Sequence, residues 1–77
     1  MNTLHLVLEH KWFDSIAYGK KRVEYRDDTE FWRKRMVDKE YVVFHRGYSN
    51  TIICFKIRKI ERVLGEIQIH LGKKLSN

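Results

Sequence analysis

The chain contains no proline, one cysteine and only four glycines among its 77 residues. Each shortage removes a class of protein. With Cys54 alone no intramolecular disulfide can form, so the fold has to stand on packing. A lone cysteine also fits a reducing compartment. Four separated glycines supply no material for a glycine-rich phosphate loop. No proline-rich linker, repeat or low-complexity stretch divides the chain, and its length is that of one domain, residues 1–77. Long apolar runs are missing as well. Tyr41-Val42-Val43-Phe44 and Ile52-Ile53-Cys54-Phe55 are the longest, far short of the ~20 residues of a membrane helix. Met1-Asn2-Thr3-Leu4-His5 lacks the basic segment and apolar block of a signal peptide. We therefore expect a soluble, cytoplasmic protein with no membrane partner.

Metal chemistry also lacks its usual spacing. His5, His10, His45 and His70 are scattered, and neither a CxxC nor a His pair at i,i+4 occurs. No metal and no cofactor are expected, and His5 and His70 read as exposed or hydrogen-bonded residues on polar strand faces. Ser15, Ser49 and Ser76 have no neighbouring base, which argues against a serine triad.

What the chain does have is charge and aromatic surface. Hydrophobic residues make up 43% and aromatics 13%, too much for a disordered tail. The formal net charge of +6 favours a polyanionic partner, nucleic acid first. The charge is not spread evenly. Lys20, Lys21, Arg22 and Arg26 stand against Glu24, and Lys56, Arg58, Lys59 and Arg62 stand against Glu61. These two stretches account for the whole net charge, so whether they share a face bears directly on a nucleic-acid role.

The patterning predicts β-α-β-α-β-β-β. Leu4, Leu6 and Leu8 alternate with polar neighbours as a strand does. Trp12, Phe13, Ile16 and Ala17 make one stripe of a short helix over Lys11–Tyr18. Gly19 stands where a helix C′ glycine belongs. In the second strand, Lys21–Arg26, Val23 and Tyr25 share one face while Arg22, Glu24 and Arg26 share the other. Asp27 as N-cap and Glu30 three residues on suggest a capping box for a helix over Asp28–Met36. Strands over Tyr41–His45, Thr51–Val63 and Glu66–Leu71 follow, the long one carrying Ile53, Phe55 and Ile57 on one face and Cys54, Lys56 and Arg58 on the other. Five strands would leave exposed edges unless the sheet curls, so a small α+β domain with a partial barrel is expected.

One segment carries chemistry. Gly19, Lys21, Glu24 and Arg26 stand at Gly-x-Lys-x-x-Glu-x-Arg spacing across a helix-to-strand junction. Glu24 and Arg26 share a strand face, and Lys21 joins them if the strand begins with a turn or bulge. An ammonium, a carboxylate and a guanidinium then converge. Such a set can accept from an exocyclic amine and hold carbonyl or phosphate oxygens; the alternative is a solvated ion-pair strand.

Here the chain resembles the ASCH superfamily, whose signature is GxKxxExR. Gly19, Lys21, Glu24 and Arg26 match it, and the resemblance extends over residues 3–71. It implies a small PUA-like β-barrel of about five strands with two short helices. It also implies a cleft beside the barrel that accepts RNA or a nucleotide, with Lys21, Glu24 and Arg26 in the site role and Gly19 in the loop role. Some ASCH members are amidohydrolases that deacetylate N4-acetylcytidine. They use the motif lysine, a threonine at the motif glutamate position and a distant glutamate. Lys21 matches the first, position 24 is Glu rather than Thr, and Glu61 and Glu66 are the candidates for the third. Ribonuclease activity has also been associated with ASCH proteins. If the chain is a hydrolase, Lys21 with Glu24 are its catalytic candidates.

The aromatics divide into two groups. Trp12, Phe13, Phe31, Phe44 and Phe55 are assigned to the core, which a short chain needs. Trp32, Tyr25 and Tyr48 are assigned to base stacking, Tyr48 because it sits in a turn beside Arg46. The leading reading is an RNA- or nucleotide-binding module. Gly19, Lys20, Lys21, Arg22, Glu24, Arg26, Trp32, Arg46 and Tyr48 form its ligand site. The alternatives are a small hydrolase and a protein-interaction module built on Phe31-Trp32.

Overall fold

The computed structural model describes residues 2–76; Met1 and Asn77, part of the domain read from the sequence, lie outside the described residues. Along the chain come β1 (Thr3–Leu8), α1 (His10–Ala17), β2 (Val23–Asp27), α2 (Glu30–Met36), β3 (Tyr41–Arg46), β4 (Ile52–Val63) and β5 (Glu66–Ser76). The strands form one five-stranded sheet ordered β1-β3-β4-β5-β2. β1 pairs parallel with β3, and every other pairing is antiparallel. The result is an α+β fold in which a mixed sheet curls into a half-barrel. β1 and β2 are its outer strands, and no hydrogen-bonded neighbour joins them.

Period-two alternation puts the core on the concave face. Leu4, Leu6 and Leu8 of β1, Val42 and Phe44 of β3, Ile53 and Phe55 of β4, and Ile67, Ile69 and Leu71 of β5 are buried there. Phe13 and Ile16 of α1 and Met36 of α2 complete the core. Each such side chain contributes about 1.5–3 kcal/mol by leaving water. Phe44 meets Phe55 edge-on, with ring centroids 6.1 Å apart. α1 is further tied to the sheet by Asp14, which accepts from Arg46 Nε at 3.0 Å and Nη2 at 3.1 Å.

Two aromatics assigned to the core lie elsewhere. Trp12 is half-exposed because the eight-residue helix buries only Phe13 and Ile16, leaving Trp12 at the rim. Phe31 is exposed, edge-on to Trp32 at 5.1 Å and beneath the Arg35 guanidinium at 4.3 Å. The capping box also differs. Thr29 is the N-cap of α2, its hydroxyl accepting from the Trp32 N–H at 3.3 Å. Asp28 is drawn off by arginines instead, and Asp27 lies in β2.

The last hairpin is longer and less regular than alternation predicts. β5 continues past Leu71 to Ser76, and its register with β4 shifts three times. Gly72 lies at one shift, where a β-carbon would approach the Lys56 carbonyl oxygen to 3.0 Å. Another shift lies between Ile57 and Lys59, and it brings Ile60 rather than Lys59 against the core. Bulges of this kind bend and twist a hairpin, which curls the sheet here.

Leu64 and Gly65 join β4 to β5 with φ of 49° and 82°. A two-residue turn with both residues at positive φ suits glycine and asparagine, whereas leucine is strained there. Leu64 gains nothing in return, being wholly exposed. Leu64→Asn should raise stability by about 0.5–1 kcal/mol, roughly 2–8 °C in a domain of this size, in a thermal melt. An unchanged or lower melting temperature would contradict this account.

Asp28 links three elements. It accepts from Arg33 Nη1 of α2 at 2.9 Å and from Arg62 Nε of β4 at 3.0 Å, while its own N–H donates to the Gly65 carbonyl at 3.1 Å. The Arg33 hydrogen bond, then that of Arg62, holds its carboxyl below the usual 3.8. Arg46 and Lys59 depress Asp14 and Glu61 in the same way. A depressed folded value means stabilisation that is present above the ordinary range and lost as pH falls through the folded value. Asp28→Asn should therefore melt lower than wild type at pH 7 and lose less between about pH 5 and 2. Parallel losses in the two proteins would show that the clamp does not titrate with folding.

Candidate functional site

The site begins at the end of α1. The N–H of Gly19 donates to the Ile16 carbonyl at 3.1 Å, and the N–H of Lys20 donates to the Ser15 carbonyl at 2.9 Å. These two bonds form a Schellman cap, which needs a left-handed residue at Gly19, where φ is 77°. Nothing lies within 4 Å of a β-carbon built there, so conformation rather than space demands the glycine. The cap reverses the chain, and Lys21 N–H also donates to Ser15 O at 3.1 Å. Lys21 thus sits in a turn two residues ahead of β2. The turn supplies the condition under which Lys21 can join Glu24.

It does join it. Lys21 Nζ donates to Glu24 Oε1 at 2.7 Å, and Arg26 Nη1 donates to Glu24 Oε2. Arg26 Nη1 also reaches the Tyr25 carbonyl at 2.8 Å. Glu24 is the one charged residue among the buried side chains described, 4% exposed, while Lys21 and Arg26 remain partly exposed. β2 therefore turns its polar face inward, and Tyr25 faces solvent. A solvated ion-pair strand does not describe this arrangement. The carboxylate is held inside by two cations that each keep unused donors, and the trio carries one net positive charge.

Aromatic rings surround the cations. Lys21 Nζ lies 4.6 Å from the centre of the Trp12 ring and 5.6 Å from that of Tyr25. The Arg26 guanidinium lies 5.2 Å from the centre of Trp32. Contacts at these distances are cation–π interactions. A cleft of about 330 Å³ opens over the trio, lined by Lys21, Glu24, Tyr25 and Arg26 on one side and by Val7, Leu8, Glu9 and Trp12 on the other. It is the gap between the two outer strands of the half-barrel, and its volume falls in the range of small-molecule sites.

The cleft has neighbours. Trp12, Ser15, Lys20, Lys21, Arg22, Val23 and Tyr25 line a hollow of about 410 Å³. Lys21 and Arg22 line a smaller one with Lys73 and Lys74 of β5. Lys21 borders all three. Trp32 lines a separate hollow with Tyr25 and Arg26. Arg46 and Tyr48 line none of these: Arg46 is committed to Asp14, and Tyr48, 99% exposed, sits on the β3–β4 turn.

The second basic stretch does not reach the cleft. Its four cations lie on β4, which β5 separates from β2. Two of them are already paired, Lys59 with Glu61 and Arg62 with Asp28. The cations that do extend the motif's charge are Lys73 and Lys74, which the sequence reading missed by ending the last strand at Leu71. It also missed Glu9, for which no motif existed, and placed Trp12 in the core.

Three of the four histidines have close polar neighbours outside the site. His5 Nδ1 lies 3.1 Å from His45 Nε2, and His70 Nε2 lies 2.8 Å from Glu61 Oε1. Among the described residues no group of three or more His, Cys, Asp or Glu is placed to hold a metal. No described helix is long and apolar enough to cross a membrane.

If Glu24 organises the cations, its loss should be felt first in stability. Glu24→Ala leaves Lys21 and Arg26 facing each other without their acceptor, although both can turn toward water. A loss of about 1–3 kcal/mol in denaturant unfolding is expected. A change below about 0.5 kcal/mol, the level of an ordinary surface substitution, would mean that the trio contributes no structure. No protein-family model matches the chain, and no curated protein matches it, so the reading of the cleft rests on its geometry.

Proposed function

We propose that this chain is an RNA- or nucleotide-binding domain of the ASCH type, with a PUA-like barrel left open at the β1–β2 seam. The observation that carries the reading is the buried Glu24 carboxylate, gripped by Lys21 and Arg26 at the bottom of an aromatic-sided cleft. In this reading Glu24 positions the two cations. Lys21 and Arg26 hold phosphate or carbonyl oxygens with their free donors. Trp12 and Tyr25 offer ring faces to a base. Lys20, Arg22, Lys73 and Lys74 continue the positive surface beyond the cleft, which suits a phosphate backbone longer than one nucleotide.

Binding is favoured over hydrolysis because Glu24, the second catalytic candidate, has both oxygens engaged by cations. An interaction module built on Phe31-Trp32 is disfavoured because Trp32 packs against the core and beneath Arg26. Arg46 and Tyr48 are left out of the proposed contact surface.

Filter binding of single-stranded RNA over a salt series tests the proposal. Affinity should fall as salt rises. Lys21→Ala should weaken binding and reduce the log–log salt slope by about 0.7, the share of one phosphate contact. No measurable affinity at low salt, or binding indifferent to both Lys21→Ala and Arg26→Ala, would overturn it.

A further inference from the structure

A second acidic residue borders the cleft outside the ion-pair trio. Glu9 stands at the β1–α1 junction and lines the same cleft as Lys21 and Arg26. Its backbone is fixed, since its carbonyl accepts from the N–H groups of Trp12 at 3.1 Å and Phe13 at 3.0 Å. It occupies the N-cap position of α1, yet its side chain makes no capping hydrogen bond. The side chain is exposed, and among the described residues it forms neither an ion pair nor a hydrogen bond. Of the two carboxylates lining the cleft, Glu24 is therefore saturated and Glu9 is open.

That asymmetry gives the cleft a direction. Phosphate is attracted to the unused donors of Lys21 and Arg26 and repelled at Glu9. An ionised carboxylate only accepts hydrogen bonds, so the group that satisfies Glu9 must be a donor. We infer that Glu9 makes the cleft selective for an amino-bearing base, of the cytosine or adenine kind, over its carbonyl-bearing counterpart; this rests on the nucleotide reading of the same cleft. An exocyclic amine presents a hydrogen to the carboxylate, the pairing by which Glu and Asp read cytosine. A carbonyl at the same place presents a lone pair. The ring N–H that uracil and hypoxanthine gain is displaced from that position and sits beside the carbonyl oxygen that the carboxylate repels.

Isothermal titration of the full chain at low salt separates the possibilities, with AMP against IMP and CMP against UMP as matched probes. Within each pair the exocyclic amine is replaced by a carbonyl. Wild type should bind the amino member at least about fivefold more tightly. Glu9→Ala should abolish that preference and tighten the carbonyl members, since a repulsive charge has gone. Its melting temperature should match wild type, because the side chain is exposed and unpaired. Equal affinities within each pair in wild type, or a preference that survives Glu9→Ala, would overturn the role of Glu9 and leave nucleotide binding standing. Failure of all four probes to bind would overturn the nucleotide reading of the cleft, and this inference with it.

Discussion

The arrangement of the whole seam follows from one buried carboxylate. Glu24 lies on the inward face of an outer strand, where a small domain would normally place an aliphatic side chain. Its desolvation is tolerable only because Lys21 and Arg26 approach from either side. Those partners arrive by different routes. Arg26 comes from the same strand face two residues on. Lys21 comes from the turn, and it reaches the carboxylate because the Gly19 cap folds the chain back after α1. A β-branched residue at position 19 would strain the cap, and without the cap Glu24 would be half-paired. The four motif positions are thus one mechanical unit, with glycine supplying geometry and the other three supplying charge.

The open seam is the consequence. An aliphatic residue at position 24 would extend the core toward β1 and favour closure of the barrel. The two cations of the trio resist that closure, since Lys21 and Arg26 retain donors that need water or a ligand. The bulged β4–β5 hairpin bends the sheet far enough for β1 and β2 to line one cleft, yet no hydrogen bonds join them. Curvature and charge therefore act in opposite directions, and the cleft occupies the space between them. α1 borders the gap, fixed from below by Phe13 and Ile16 and from the side by the Asp14–Arg46 pair. That pairing commits the Arg46 guanidinium, a cation expected at the ligand site, to Asp14.

The element order, the buried alternation of β1 and the C′ role of Gly19 were all legible in the sequence. Each rests on local periodicity or on a single residue's conformational preference. The features that were not legible depend on partners distant in the chain. Asp27 and Thr29 are both competent N-caps, and Thr29 takes the position because Asp27 is the last residue of β2, paired with Glu66. The face exchange between Ile57 and Ile60 requires a register shift that alternation alone cannot contain. Gly72 resembles a strand terminator in one dimension, whereas in three it permits close approach to the Lys56 carbonyl and lets β5 run on. The stripe containing Trp12 was real, but a helix of two turns buries only its centre.

The same distinction governs the site. The converging trio could be read from spacing, since i+2 and i+3 neighbours meet whenever the strand starts with a turn. Its surroundings could not. Trp12 is nine residues before Lys21, Lys73 and Lys74 come from the far end of the chain, and Glu9 belongs to no pattern. The first basic stretch lines the cleft and the second does not, because strand order puts β5 between them. Net charge and motif thus locate the centre of the cleft, but its walls are assembled by topology. If the cleft takes nucleotides as proposed, discrimination between ligands of equal charge must come from those walls, because Lys21 and Arg26 would hold any phosphate alike. On that reading, the open carboxylate at Glu9 and the ring of Trp12 are where specificity in this cleft would reside.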